Sequence, residues 1–453
     1  MTDGVKMQGK KITVDFSKKC GKIKPLTAVN GAPRSGGVGL PYDFTDEFCA
    51  MAVPMVRVGA TTGDYGYNQF VNVHSIFPDF QADENLEQSY NFLPTDLYLA
   101  SVRGAGAEIF YCLGEATEPY SRKLYARTPA DKEKWARICE HIIMHYNEAW
   151  ANGFKWNIKY FEIWNSPDTA EGFADSSEEY FELYRITANH LKERFPKIKI
   201  GAYGARGFYA LNRIDATEEM KGYVPFMQRF LSYIGKEETS APLDFFTWSC
   251  YTSNPEELAM HANYARSYLD AAGRKRTRSI LCEYNTHTRS GAPCLSSDFP
   301  SELGAALTLM QKSPVDIMMY STTDVSSAKN GLFSVDDYTT HRHYSAYHVM
   351  CAFAELYRLG GAIETTSDYR KELYSLAAQG KDSAAILLTT RDCQGKVELL
   401  LKDCPYTTCS VIKIQPTKER GAPNVYRAEG VAISGSKISI SAKTGEIYLV
   451  KLF

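Results

Sequence analysis

The sequence predicts an α/β fold, a (β/α)8 TIM barrel with an accessory antiparallel β-sandwich domain. Three observations carry that reading. Eight apolar, strand-like stretches alternate with helical patterns between about residues 24 and 345, and crossover helices force parallel strands. Beyond residue 345 come short alternating strands separated by Gly380, Gly395, Gly430 and Gly435, the spacing of a sandwich. No Gly-x-Gly-x-x-Gly follows the first strand. Gly104-Ala105-Gly106 is a lone weak match ahead of the third, so a nucleotide-binding open sheet is disfavoured.

Residues 10–23 read as one or two short strands that join the sandwich. The barrel strands are expected at Leu26–Val29, Met55–Val58, Glu108–Leu113, Lys159–Trp164, Ile198–Ala202, Phe245–Ser249, Ser279–Glu283 and Val315–Tyr320. Helical patterns such as Lys132–Trp150, Glu178–Phe195 and Ser301–Gln311 lie between them, the second opening after the cap signal Asp175-Ser176-Ser177. The long segment after Met55–Val58 is expected to lie over the barrel mouth. Tyr344–Leu359 reads as a last helix, stopped by Gly360-Gly361. Strands then follow at Tyr374–Ala378, Ala384–Thr389, Val397–Leu401, Ser410–Gln415, Asn424–Arg427, Lys437–Ser441 and Glu446–Leu452. The expected domains are a barrel over 24–345 and a discontinuous sandwich from 1–23 plus 346–453.

The 453 residues carry 51 basic against 53 acidic side chains with no basic block, which argues against nucleic acid and anionic membranes as partners. No apolar run approaches the roughly 20 residues of a membrane helix. The start, MTDGVKMQGKK, has no apolar signal-peptide core. Eleven cysteines are scattered without metal-ligand spacing, and Cys112, Cys250 and Cys282 sit inside apolar runs as small hydrophobes. A reduced, cytoplasmic protein is expected. Aromatics reach 13%, with 30 Tyr, a surplus that suits a cleft on which sugars stack.

Two strand tips carry the chemistry. In Tyr160-Phe161-Glu162-Ile163-Trp164-Asn165-Ser166-Pro167-Asp168, Pro167 ends the strand because it cannot donate to a ladder and pushes Ser166 out of helical geometry. Ile280-Leu281-Cys282-Glu283-Tyr284-Asn285-Thr286 places a carboxylate at the end of another apolar strand. Glu is depleted from strands and costly to bury unpaired, so Glu283 needs a reason to be there. Two carboxylates facing each other across a sugar are the minimal apparatus of glycoside hydrolysis.

Trp164-Asn165-Ser166-Pro167-Asp168 is similar to the Trp-Asn-Glu-Pro-Asp/Asn motif of clan A glycoside hydrolases. Cys282-Glu283-Tyr284-Asn285 resembles the Thr-Glu-Trp-Asn around the nucleophile of family 39, the β-xylosidase and α-L-iduronidase group. Val73-His74-Ser75-Ile76-Phe77-Pro78-Asp79 and Asp244-Phe245-Phe246-Thr247-Trp248-Ser249-Cys250-Tyr251 resemble two further stretches of that family, in the same order. The resemblance covers about residues 24–350. It implies a retaining, exo-acting enzyme on short oligosaccharides, with Glu283 as nucleophile, position 166 as acid/base, and Asn165 on the sugar's 2-hydroxyl. It implies a glycoside as partner and no cofactor or metal. His74 is a candidate for lining the site or a structural residue, and Tyr251 and Tyr320, at strand ends, either bond the nucleophile or the sugar or belong to the core. Arg57 either orients Glu283 or pairs within the barrel. His141, His145 and His190 fall on helical stretches and are read as structural.

The departures matter as much as the match. Position 166 is Ser where the family has its acid/base Glu, and a hydroxyl is far too weak an acid or base for that role. Three explanations stand open: a deliberate substitution to trap a complex, an acid borrowed from elsewhere, or a carbohydrate-binding protein without turnover. Glu115 and Asp168 are the nearest replacement acids by position. Cys250 is read as replacing the family's His near the sugar, a lost polar contact.

Overall fold

The computed structural model describes residues 10–33, 43–59, 70–115, 118, 121–286, 299–321, 331–337, 340–369, 371–416 and 425–453. After β1 (Lys10–Lys22), eight strands run parallel and close on themselves. They are β2 (Ala28–Asn30), β3 (Met55–Val58), β4 (Glu108–Leu113), β5 (Tyr160–Ile163), β6 (Lys199–Ala205), β7 (Phe245–Tyr251), β8 (Arg278–Asn285) and β9 (Ile317–Tyr320), with β9 paired back to β2. The helices are α1 (Thr45–Ala50), α2 (Val73–Ile76), α3 (Leu93–Gly104), α4 (Lys132–Glu148), α5 (Ser177–Arg194), α6 (Glu218–Tyr233), α7 (Pro255–Ala271), α8 (Phe299–Lys312) and α9 (Ser345–Leu359). Asp131, Ser176, Thr217 and Asn254 cap α4 to α7, each side chain accepting a first-turn N–H. Of the segment expected over the mouth, residues 60–69 lie outside the described residues.

Side-chain alternation sorts the barrel into an inside and an outside. Ala28, Met55, Phe110, Tyr160, Phe245, Ile280, Cys282, Ile317 and Met319 form one cluster, the filling of the lumen. Gly201 has no side chain where a Cβ would lie 2.3 Å from the Phe245 ring, so that ring fills the space. The alternate residues, among them Val56, Tyr111, Phe161, Phe246, Trp248, Leu281 and Met318, belong to the core under the helices. Two residues beyond the apolar floor, period two brings Asn30, Arg57 and Glu162 to the inside. The lumen therefore changes from oily to charged toward the strands' C-terminal ends.

A second, nine-stranded sheet follows the hairpin β10 (Phe333–Asp337) and β11 (Thr340–His343). Its later strands are β12 (Gly361–Ser367), β13 (Leu373–Gln379), β14 (Ala384–Thr390), β15 (Gly395–Lys402), β16 (Thr408–Ile414), β17 (Val425–Ala432), β18 (Lys437–Ala442) and β19 (Ile447–Leu452). The order is β17-β16-β19-β14-β13-β12-β1-β15-β18. Ile12, Val14, Val397 and Ile440 from one end share a core with Ile386, Leu388, Tyr448 and Val450 from the other, so the sheet folds over into a sandwich. The opposite faces of β14 and β19, with Leu387, Ile447 and Leu449, join the core under the helices.

Two differences from expectation have local causes. β1 is a single strand, but its pairing with β12 is interrupted after Asp15 and again after Lys19, which is why the sequence reads as two pieces. The sheet is mixed rather than antiparallel, because β1 pairs parallel with β15. β12 was not expected at all: Gly361 and Glu364 interrupt its strand pattern, and pairing with β1 supplies what propensity does not.

Candidate active site

Strict alternation in β8 would turn Glu283 outward, between Cys282 in the lumen and Tyr284 in the core. The pairing shows why it does not. Trp248 faces Leu281, but the next pair is Ser249 with Glu283, so β8 carries one extra residue. The same irregularity appears against β9, between Leu281 and Tyr284. This β-bulge turns Glu283 into the lumen as well.

Arg57 is the hub of what Glu283 meets. It is 1% exposed. Its Nε donates to Glu162 Oε2 at 2.8 Å, Nη1 to Glu283 Oε1 at 3.1 Å, and Nη2 to Asn165 Oδ1 at 2.8 Å. Burial opposes its charge most strongly, but the groups around it, Glu162 first and Glu283 among the rest, together outweigh that and hold the guanidinium ionised. Glu162 is fully buried and also takes the Thr247 hydroxyl. The other Glu283 oxygen, Oε2, accepts from the Tyr251 hydroxyl at 2.9 Å. Burial first, then Glu283 itself, pushes the Tyr251 phenol up, so it stays a donor. Tyr251 is gripped in turn: its N–H donates to Tyr209 Oη at 2.7 Å and its carbonyl accepts from Arg213 at 3.4 Å.

The β5 tip is strained. Trp164 has φ 71° and Ser166 φ 52°, in the left-handed region that bulky residues avoid. Ser166 is 1% exposed; its N–H donates to Tyr203 O at 2.7 Å and its hydroxyl to Gly204 O at 3.1 Å. Gly204 has φ +66°, and a Cβ there would lie 2.5 Å from Asn165 Oδ1. Only glycine lets this strand pass so close to the Asn165–Arg57 pair. With Oδ1 on Arg57, Asn165 keeps its Nδ2 amide without a partner among the described residues.

The structure thus brings together Glu283, Asn165, Tyr251 and Arg57. It separates the remaining candidates. Alternation along β4 turns Glu115 toward Tyr111 and Cys139, on the α4 side. There it is buried and pairs with the His74 ring and, at 3.1 Å, the His74 N–H. Burial pushes the Glu115 carboxyl up against the pull of His74. Tyr125 stacks on the same imidazole at 3.6 Å between centroids. No described contact joins this pair to Glu283. Tyr320 takes the core alternative and not the site: Met319 holds the lumen position, and Tyr320 packs against Tyr284 in the core under the helices. Cys250 likewise lies in that outer core, and Ser249, beside Cys282, is the residue facing inward. The polar contact thought lost at Cys250 was never a matter of that position.

Asp168 stands just beyond Ser166. Its Oδ2 accepts the Arg206 N–H at 2.9 Å, while its buried Oδ1 has no partner among the described residues. Burial raises its carboxyl from 3.8 to about 7. A raised folded pKa favours the protonated form, so Asp168 supports folding below its unfolded pKa and loses that support as pH climbs to about 7. Asp168→Asn is expected to flatten the melting-temperature profile between pH 4 and 7 and to melt above the parent at pH 8 by a few degrees. Thermal melts across that range check it, and parallel profiles would sink the assignment. Arg206 itself, and the depth of Glu162, were missed from sequence. Glu162 was legible, since a mid-strand carboxylate poses the same question as Glu283.

Residues 59–280 match the model of the glycosyl hydrolases family 39. The barrel is family 39-like. A β-xylosidase of Geobacillus stearothermophilus is 21% identical over 233 residues, 47% of this chain and 44% of that one. A β-xylosidase of Caldicellulosiruptor saccharolyticus is 22% identical over 289 residues, 60% of this chain and 51% of that one. The chain thus spans about half the length of these two relatives. A glucosidase from Croceicoccus marinus superposes with a TM-score of 0.77 at 19% identity, over 98% of this chain and 99% of that one. That likeness concerns the fold, barrel and β domain together.

Proposed function

We propose that this family 39-like protein is a retaining, exo-acting glycosidase that takes short oligosaccharides through a glycosyl-enzyme on Glu283. The observation that carries this reading is the grip on Glu283: one oxygen on Arg57, the other on Tyr251, at the C-terminal end of a closed barrel. A carboxylate so held stays oriented for attack on an anomeric carbon. Asn165, with Nδ2 left to donate, serves the sugar's 2-hydroxyl. Ser166 supplies no general acid, and its hydroxyl is turned to a backbone carbonyl. Glycosides with poor leaving groups then react slowly, and the glycosyl ester accumulates because no base activates water. A cytoplasmic location is part of the proposal, in keeping with the described cysteines being free thiols.

A panel of aryl glycosides spanning leaving-group acidity tests this. Acidic phenols should be released in a burst, with a covalent sugar on Glu283 seen by mass spectrometry. Ser166→Glu should raise kcat/KM on poor leaving groups by about a hundredfold and on good ones far less. Silence across the panel, with measurable sugar binding, would make the chain a carbohydrate-binding protein instead.

A further inference from the structure

Arg206 follows the last residue of β6, between the β5 tip that carries Ser166 and the β7 end that carries Tyr251. Ser166 reaches across to Gly204 on the same strand end. What holds Arg206 is its backbone: the N–H, not the guanidinium, takes Asp168. The guanidinium makes no hydrogen bond or ion pair with a described residue, while Arg57, Arg213 and Arg137 are each engaged with a carboxylate. Burial works against its charge, and Glu283, then Asp168, sustain it. Arg206 thus carries a guanidinium with no described partner at the β6 end, and its backbone is tied to Asp168, two residues beyond Ser166.

That cation and the missing general acid answer each other. A leaving group that is already anionic needs no general acid, and an anionic nucleophile needs no general base. What both need is a cation. A guanidinium presents the planar fork that matches phosphate oxygens.

We propose that Arg206 binds phosphate, and that the protein transfers glycosyl groups between Glu283 and inorganic phosphate, making or consuming a glycosyl 1-phosphate. The inference rests on Glu283 being the nucleophile. In the consuming direction, a Glu283 carboxylate oxygen bonds to C1 of the monoanionic sugar phosphate. The C1–O bond breaks, and its electron pair leaves with hydrogenphosphate, so one negative charge on Glu283 and one on the ester become two on phosphate. In the making direction, a hydrogenphosphate oxygen attacks C1 of the ester and Glu283 departs as carboxylate. Two displacements keep the anomer of the donor.

The test loads the full-length protein with a 2,4-dinitrophenyl glycoside that gives a burst, then adds inorganic phosphate or azide. Products are read by phosphorus NMR and mass spectrometry. Phosphate should speed steady-state release and divert product from free sugar to glycosyl 1-phosphate. Arg206→Gln should lower the ratio of glycosyl phosphate to free sugar by about ten- to a hundredfold, as expected for losing a charge-assisted pair. Arg206→Lys should fall between, and it supplies the readout if Arg206→Gln does not fold. Glycosyl azide without glycosyl phosphate would overturn the phosphate site while leaving the glycosidase reading intact. An unchanged product ratio in both variants overturns it as well. Absence of any sugar on Glu283 removes both readings together.

Discussion

Glu283→Gln is expected to abolish the burst on activated aryl glycosides, lowering turnover by about 10³-fold or more. The substitution is nearly isosteric: the amide oxygen can accept from Arg57, and the amide NH2 can donate to Tyr251 Oη, whose own hydrogen has Ser321 Oγ at 3.2 Å as an acceptor. What goes is the negative charge that attacks C1. The fold should tolerate the change, because Arg57 has two carboxylates against its single charge, Glu162 and Glu283. Removing Glu283's charge leaves a balanced buried pair, and the melting temperature should hold or rise. Azide should not restore turnover, since it acts only after the glycosyl ester has formed. Steady-state rates with a matched melt and intact-mass analysis separate these effects. A variant that still turns over activated glycosides at parental rate would remove Glu283 from the chemistry.

The barrel was legible because its signals are local. Each strand is a short apolar run, and four crossover helices, α4 to α7, open at a capping side chain such as Asp131 or Ser176. Asn165 and Glu283 were legible as strand-tip residues for the same reason. Tyr320 failed because period two alone decides inside from outside. Met319 was already inside, so its neighbour could not be. Cys250 failed on the same count, one residue from Ser249. Glu283 itself breaks that rule through the β8 bulge, which pairing with two neighbouring strands creates and no sequence pattern announces. Glu115 was placed by proximity in sequence to a strand end, yet its side chain is turned to α4 and held by His74, a partner some forty positions away. Arg206 carries no motif. Its interest comes from what does not pair with it, which only three dimensions show.

Arg57→Met is expected to be the most damaging single change to the scaffold, costing about 3–5 kcal/mol of stability at neutral pH. Met keeps much of the volume, so a cavity is not the cause. The cause is Glu162, fully buried, whose other described partners, the Thr247 hydroxyl and the Cys112 thiol, are both neutral. Without the guanidinium its charge has no compensation, and the group must fold protonated. The cost is that of burying an uncompensated charge, so the deficit is small at acid pH, where the carboxyl is neutral, and widens as pH rises. Denaturant melts at pH 5 and pH 8 should show the gap between parent and variant growing. Turnover should fall too, since Glu283 and Asn165 lose the donor that aligns them. Adding Glu162→Gln should recover part of the stability and none of the turnover, because the double variant buries no unpaired charge but still leaves Glu283 unaligned. If the double variant is no more stable than Arg57→Met, the damage comes from packing rather than from a stranded carboxylate, and Arg57 is not the electrostatic hub of the lumen.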